Sequence, residues 1–105
     1  TVSAVVSITP KTPEDGRKAI DAALAGHRSM KMVTIVNQDI DVSDPVRVEW
    51  AMMTRWQPDQ DTVILSGQKG SSLDPSRAAD GTTGKIGYDA TLSPDEDPSP
   101  YISVQ

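Results

Sequence analysis

The run Met32-Val33-Thr34-Ile35-Val36 constrains this chain more than any other stretch of its sequence. It is short, nearly all apolar and largely β-branched, so it reads as a central strand covered on both faces. Such a strand needs a layer of structure above it and another below. Val2–Ile8 is an earlier apolar, β-branched run, closed by Pro10, and reads as a buried strand. Thr62-Val63-Ile64-Leu65 reads as a third strand.

Two helix starts stand between these strands. Thr12 suits an N-cap, with Pro13 at the first helical position and Asp15 three residues after the cap. That helix is expected to run to about Ala25, with Ala19, Ile20, Ala23 and Leu24 as its apolar stripe. Gly26 then ends it by supplying a positive φ. Gly16, in the first turn, signals either a close neighbour or a loose start. Asp44-Pro45 opens a second helix by the same logic, with Val46, Trp50 and Met53 marking its inner face and Arg55 near its end. Strand–helix–strand–helix–strand with short connections predicts an α/β fold, a small β-α-β-α-β sandwich with a largely parallel sheet.

The regular core is expected over about residues 2–66. Residues 66–92 hold five of the seven glycines and only short apolar pieces, so they read as a long loop that serves function or is ordered by a partner. Residues 93–105 form an acidic, Pro-rich tail, extended over 93–100. Its end, Tyr101–Val104, is suited to pair as a terminal strand or to dock on a neighbour.

Composition narrows the function classes. A chain of 105 residues is one domain, and 36% apolar with 4% aromatic residues makes its core thin. That favours a domain completing another protein's site over an enzyme with its own enclosed cofactor pocket. The absence of cysteine removes disulfides, thiolate metal sites and a cysteine nucleophile. Strongly apolar runs of four to six residues fall far short of the roughly 20 that cross a bilayer. The start, Thr1–Val6, lacks the basic and long apolar regions of a signal peptide. The expectation is a soluble, cytoplasmic chain with no membrane contact. Residues 56–105 carry three basic and eight acidic groups and hold the whole net charge of −5. With no Lys/Arg cluster to displace counterions from phosphates, nucleic acid is not expected as a partner.

Individual residues admit more than one reading. Asp39 and Asp41 follow a strand, where open α/β sheets place their sites, and suit either a hard cation or the capping of their own turn. His27 lies just after the first helix, where it serves as a cation near the helix's negative end rather than as part of a triad. Ser66–Ser72 is Gly/Ser-rich but lacks the Gly-Lys-Ser/Thr ending of a nucleotide loop. Lys11, between a strand and a helix N-terminus, is either an exposed lysine or one half of an anion site with free backbone N–H groups. Arg55 suits capping the last helical carbonyls or holding an interface carboxylate.

Residues 35–65 carry a more specific pattern. The string Ile35-Val36-Asn37-Gln38-Asp39-Ile40-Asp41-Val42-Ser43-Asp44 is followed by Val48-Glu49-Trp50-Ala51-Met52-Met53-Thr54-Arg55, then by Pro58-Asp59-Gln60-Asp61-Thr62-Val63. These blocks resemble the C-terminal domain of the UbiD decarboxylase family, as do Ser72-Leu73-Asp74-Pro75-Ser76 and Gly84-Lys85-Ile86-Gly87-Tyr88-Asp89-Ala90-Thr91. Order and spacing agree over about residues 4–92, which places the domain at 1–92 and the tail at 93–105. Two details depart from the pattern: Asn37-Gln38 stands where relatives are usually acidic, and Tyr88 replaces a commonly aliphatic residue.

The resemblance implies reversible decarboxylation of aromatic or α,β-unsaturated acids with prenylated FMN, Mn²⁺ and K⁺. The family's Glu-Arg-Glu trio and metal ligands lie in regions with no counterpart here, so neither catalytic residues nor metal ligands are expected in this chain. It is expected to be the small subunit of a split UbiD-like (de)carboxylase. Inactive alone, it would complete the cofactor site of a larger catalytic subunit in a hetero-oligomer. A non-catalytic assembly module and a fragment of a full-length UbiD decarboxylase are the alternatives. In relatives a lysine near the start of this domain reaches the flavin phosphate, and Lys11 stands at about that position.

Overall fold

In a computed structural model, which describes residues 2–101, two helices alternate with three strands as expected for an α/β domain, and a fourth strand follows the third directly. The elements are β1 (Val2–Ile8), α1 (Asp15–Gly26), β2 (Met30–Asn37), α2 (Pro45–Arg55), β3 (Thr62–Lys69) and β4 (Thr82–Ala90), with a 3₁₀ turn at Ser99–Tyr101. The strands form one sheet in the order β1-β2-β4-β3. β1, β2 and β4 run parallel, and β3 lies antiparallel against β4. Neither described helix is long and apolar enough to cross a membrane.

β2 is the buried central strand its composition demands. Val33 and Ile35 pack with Ile20 and Leu24 of α1, while Val36 packs with Ala51 of α2. Because successive strand residues point to opposite faces, the two helices cover opposite faces of the sheet. Val33, Ile35 and Val36 are fully buried, and each contributes about 1.5–3 kcal/mol of transfer free energy.

β1, expected to be buried, lies at the sheet edge with half-exposed side chains, and Val2 is 43% exposed. A β-branched run tells that a strand forms; it does not tell which position in the sheet the strand takes.

The larger correction concerns residues 66–92, expected as a long loop. β3 continues to Lys69 through an irregularity between Leu65 and Gln68, and Thr82–Ala90 forms β4, an interior strand between β2 and β3. Only residues 70–81 connect them irregularly. Gly84, Lys85 and Gly87 hid the strand by breaking its apolar pattern, and two of the three are required by α1. A Cβ on Gly87 would overlap Ile20 Cγ2, so only glycine lets the helix lie this close to β4. Lys85 is 5% exposed and its Nζ donates to the carbonyls of Leu24 and His27 at 3.3 Å and of Arg28 at 3.2 Å. A buried strand lysine therefore serves the carbonyls of Leu24 and Arg28 at the end of α1 and shares that of His27 with the Met30 N–H.

The helix ends differ in detail from the sequence reading. Asp44 caps α2 as expected, accepting from the N–H groups of Val46 at 3.0 Å and Arg47 at 3.4 Å, with Pro45 next. α1 begins at Asp15 rather than Pro13, with Glu14 at its N-cap position and no side-chain cap from it. Gly26 stays inside the helix, which leaves through an extended His27; positive φ falls on Gly67 and Gly81 instead. The inner face of α2 is also shifted. Val46 and Met53 are 71% and 67% exposed, whereas Ala51 and Arg55 are buried and Val48 and Met52 pack beside them. Small Ala51 sets the side that approaches the sheet, and the charge of Arg55 disguises it.

Candidate functional site

The three parallel strands end together at Ile8, Asn37 and Ala90, and their following segments gather at one end of the sheet. A cleft of about 470 Å³ opens there, with Thr9, Pro10, Asn37 and Asp39 on one side and residues of the tail, such as Pro94, on the other. In open α/β sheets this carboxyl edge is where ligands bind.

Arg55 organises the floor of this region. Its side chain is 1% exposed and its guanidinium lies 5.2 Å from the Trp50 ring. Nη1 and Nη2 donate to the two carboxylate oxygens of Asp39 at 2.9 and 2.8 Å. Nη1 also donates to Asn37 Oδ1 at 3.2 Å, and Nη2 to the carbonyl of Tyr101 at 2.8 Å. The same Asn37 Oδ1 accepts the Leu92 N–H at 2.8 Å. Arg55 thus holds an internal carboxylate and ties the loop after β2 to the tail after β4.

Hydrogen bonding from Arg55 keeps the Asp39 carboxyl below the ordinary range despite its partial burial. Asp41 instead accepts from the Ser43 N–H at 3.0 Å and hydroxyl at 2.6 Å, and these bonds lower its carboxyl too. Each carboxylate of the Asp39-Ile40-Asp41 string is therefore engaged by its own partner, with Ile40 buried between them. Among the described residues no three His, Cys, Asp or Glu side chains converge.

Lys11 lies in the turn that enters α1 and is exposed. Asp15 closes that turn, accepting from the Lys11 N–H at 2.8 Å, the Thr12 N–H at 3.2 Å and the Thr12 hydroxyl at 2.8 Å. The Asp15 carboxyl is lowered chiefly by the Lys11 N–H. Those two backbone donors, expected to be free for an anion, are thus already taken. What remains toward a phosphate is the Lys11 ammonium, an exposed cation with no partner among the described residues. Gly16 meets the close neighbour its position signalled, for a Cβ there would overlap the Asp89 carboxylate.

His27 stays outside this region, with Nδ1 accepting from the Ser29 N–H at 3.1 Å. The ammonium that bonds the carbonyls at the end of α1 is that of Lys85. Gln68 and Lys69 of the Gly/Ser-rich stretch belong to β3, and Ser71 is buried beside Asp74. Asp74 receives Lys31 Nζ at 2.9 Å and the Ser76 N–H and hydroxyl, which hold its carboxyl far below the ordinary range. Tyr88 stands edge-on to Trp56 with ring centroids 5.4 Å apart, so the aromatic at that position has a packing partner.

The sequence reading missed the part played by Asn37, the tail carbonyl of Tyr101, and Asp61. The Asp61 carboxyl is raised by burial and by its neighbours Asp89, Glu96 and Asp59, against one backbone bond from Gln57. No local spacing signals these contacts, because the groups lie on different elements.

Residues 1–90 match the family model described as the 3-octaprenyl-4-hydroxybenzoate carboxy-lyase C-terminal domain. The chain is 52% identical over 88 residues to anhydromevalonate phosphate decarboxylase of Aeropyrum pernix, covering 84% of this chain and 20% of that protein. Its fold superposes on the UbiD-class enzyme HmfF from Pelotomaculum thermopropionicum, solved in complex with FMN, with a TM-score of 0.91 and 35% identity. That match covers 98% of this chain and 23% of the other. Vanillic acid decarboxylase of Sedimentibacter hydroxybenzoicus matches with a TM-score of 0.83 at 26% identity, again over 98% of this chain and 22% of that one. The chain thus spans about a fifth of the length of the relatives it matches.

Proposed function

The chain belongs to the UbiD family of decarboxylases, as its C-terminal domain, and we propose that it completes the flavin site of a larger catalytic unit that carries the remaining regions of the family. The observation that supports this reading is the half-covered sheet. α1 closes its face, but α2 covers only the carboxyl half of the other, leaving Met32 and Ile64 41% and 70% exposed beside Ile86. Apolar surface left open in this way is suited to a neighbouring domain or subunit.

In that assembly Lys11 would meet the phosphate of prenylated FMN, since its ammonium is exposed at the carboxyl end of the sheet and Asp15 fixes the turn that carries it. The bound flavin would supply the chemistry of carbon–carbon bond cleavage. Mn²⁺ and K⁺ would be held by the larger unit, since no three-ligand cluster occurs among the described residues of this chain. Anhydromevalonate phosphate decarboxylases stand at 49–53% identity to this chain, which favours an unsaturated acid bearing a phosphate as substrate over an aromatic acid.

The test replaces the matching 88 residues of the Aeropyrum pernix relative with this chain and compares the chimera with the chain alone and with the truncated relative. Decarboxylation of anhydromevalonate phosphate is expected only in the chimera. Decarboxylation by the purified chain alone, or undiminished turnover by the truncated relative, overturns the reading. A chimera that assembles to the relative's native size yet neither binds flavin nor turns over favours the assembly module.

A further inference from the structure

An arginine has two edges that can each hold a carboxylate or phosphate by two parallel N–H···O bonds: the Nη1/Nη2 end and the Nε/Nη2 side. In Arg55 the end is filled by Asp39, through Nη1 and Nη2 at 2.9 and 2.8 Å. The side is not matched in the same way. Nη2 donates to one oxygen, the Tyr101 carbonyl at 2.8 Å, while Nε is buried and has no acceptor among the described residues. The residue as a whole is 7% exposed. A buried charged N–H without an acceptor is costly, and it marks a place where a second oxygen belongs.

The group that covers this edge is weakly held. Residues 92–101 cross the carboxyl end of the sheet as a strap, anchored at one end by the Leu92 N–H on Asn37 and at the other by the Tyr101 carbonyl on Arg55. Residues 95–100 between the anchors are exposed, and their remaining bonds are internal, such as Ser99 N–H to Asp97. Few buried contacts and polar anchors only are the marks of a segment that opens locally. Arg55 also lines two cavities that the strap shares, the cleft of about 470 Å³ and a smaller one of about 240 Å³. Glu96 lines both, and Asp61 adds to the smaller one a carboxylate with no ion-pair partner among the described residues. Asp39 of the larger cleft is already paired with Arg55, so entry is from the larger cleft, between Thr9–Pro10 and the strap.

We propose that the Nε/Nη2 edge of Arg55 is a latched oxyanion site: the Tyr101 carbonyl plugs it with one oxygen, and a carboxylate or phosphate takes both N–H groups when the strap lifts. The site is separate from Lys11 and does not depend on the flavin reading. It gives the domain a means of exchanging an internal contact for one to a ligand or to a group on the larger unit.

The direct readout is the ¹⁵N–¹H resonance of Arg55 Nε, assigned by its loss in Arg55→Lys. Acetate, inorganic phosphate and FMN are titrated into the intact chain and into a chain lacking residues 98–105, a stretch without charged side chains. A saturable downfield shift is expected in the truncated chain, with at least tenfold weaker binding in the intact chain. Response to acetate alone identifies a carboxylate site; response to phosphate or FMN identifies a phosphate site; both support the proposal. No saturable shift in a truncated chain that keeps its circular dichroism spectrum overturns it, as does equal affinity in the two chains. The intact chain decides independently if truncation prevents folding. There the Tyr101 amide, bonded to the Pro98 carbonyl, exchanges with deuterium faster as the ligand saturates Nε; unchanged exchange at saturation rejects the latch.

Discussion

On the α1 face of the sheet, Ile20, Leu24, Val33 and Ile35 are 0–3% exposed, and glycines at 16 and 87 let the helix press against β4. On the α2 face, Ala51 and Ile40 close the carboxyl half over Val36 and Ala90, while Met32 and Ile64 of the other half remain open. One face is finished within the chain and the other is finished at one end only. A domain of this length has little apolar material to spare, so the uneven covering divides the molecule into a part that stabilises it and an open apolar part that the proposed larger unit would cover.

That division can be broken by mutation, and the largest effect should come from the closed face. Ile20→Ala should lower unfolding free energy by about 2–5 kcal/mol in urea titrations, since it removes the fully buried side chain that packs with Leu24, Val33, Ile35 and Val63. Ile64→Ser should stay within about 0.5 kcal/mol of the native chain yet weaken association with the larger catalytic unit. Equal destabilisation by the two would erase the distinction. Gly87→Ala comes next, at about 1–3 kcal/mol, because the new methyl group must displace Ile20 or lift the helix from β4. Lys85→Met tests the other device that docks α1. It leaves the carbonyls of Leu24 and Arg28 without their buried donor, while that of His27 keeps the Met30 N–H, at a cost of about 1–3 kcal/mol.

The smallest effects are in the pH dependence, and their sign separates two sets of carboxylates. Asp39 and Asp74 are lowered by their partners, so their contributions are present above the ordinary carboxylate value of 3.8 and are lost as pH falls through their depressed folded values. Asp61 is raised, so its contribution is present below 3.8 and is lost as pH rises through its elevated folded value. Asp61→Asn should therefore raise the melting temperature at neutral pH and leave it unchanged well below pH 3.8. A lower melting temperature at neutral pH would show that the charged carboxylate, through its bond from the Gln57 N–H at 2.8 Å, outweighs its repulsion by Asp89 and Glu96.

Much of the architecture was legible because it rests on local rules. β2 announces itself by composition, Asp44-Pro45 caps α2, and the stripe Ile20/Leu24 faces the sheet as its spacing requires. β4 was not legible, because Gly87 and Lys85 answer to α1 more than half the chain away. Their residue types describe that contact, not the strand they stand in. The site shows the same split. Asp39 and Arg55 could be singled out one by one, but their pairing depends on where α2 ends relative to the loop after β2. Asn37 and the Tyr101 carbonyl carry no signal at all until the tail folds across the sheet. At the Lys11 turn the ammonium is exposed, which both readings of that residue allow, but Asp15 already holds the backbone donors.

The claim that this domain completes a flavin site on another unit is tested most directly by flavin content. In the chimera with the Aeropyrum pernix catalytic region, bound flavin per protomer is measured by absorbance after gel filtration, for the native chain and for Lys11→Ala. The account predicts flavin retained with the native chain and at least tenfold depleted with Lys11→Ala at an unchanged oligomer size. Equal flavin in the two assemblies would contradict it.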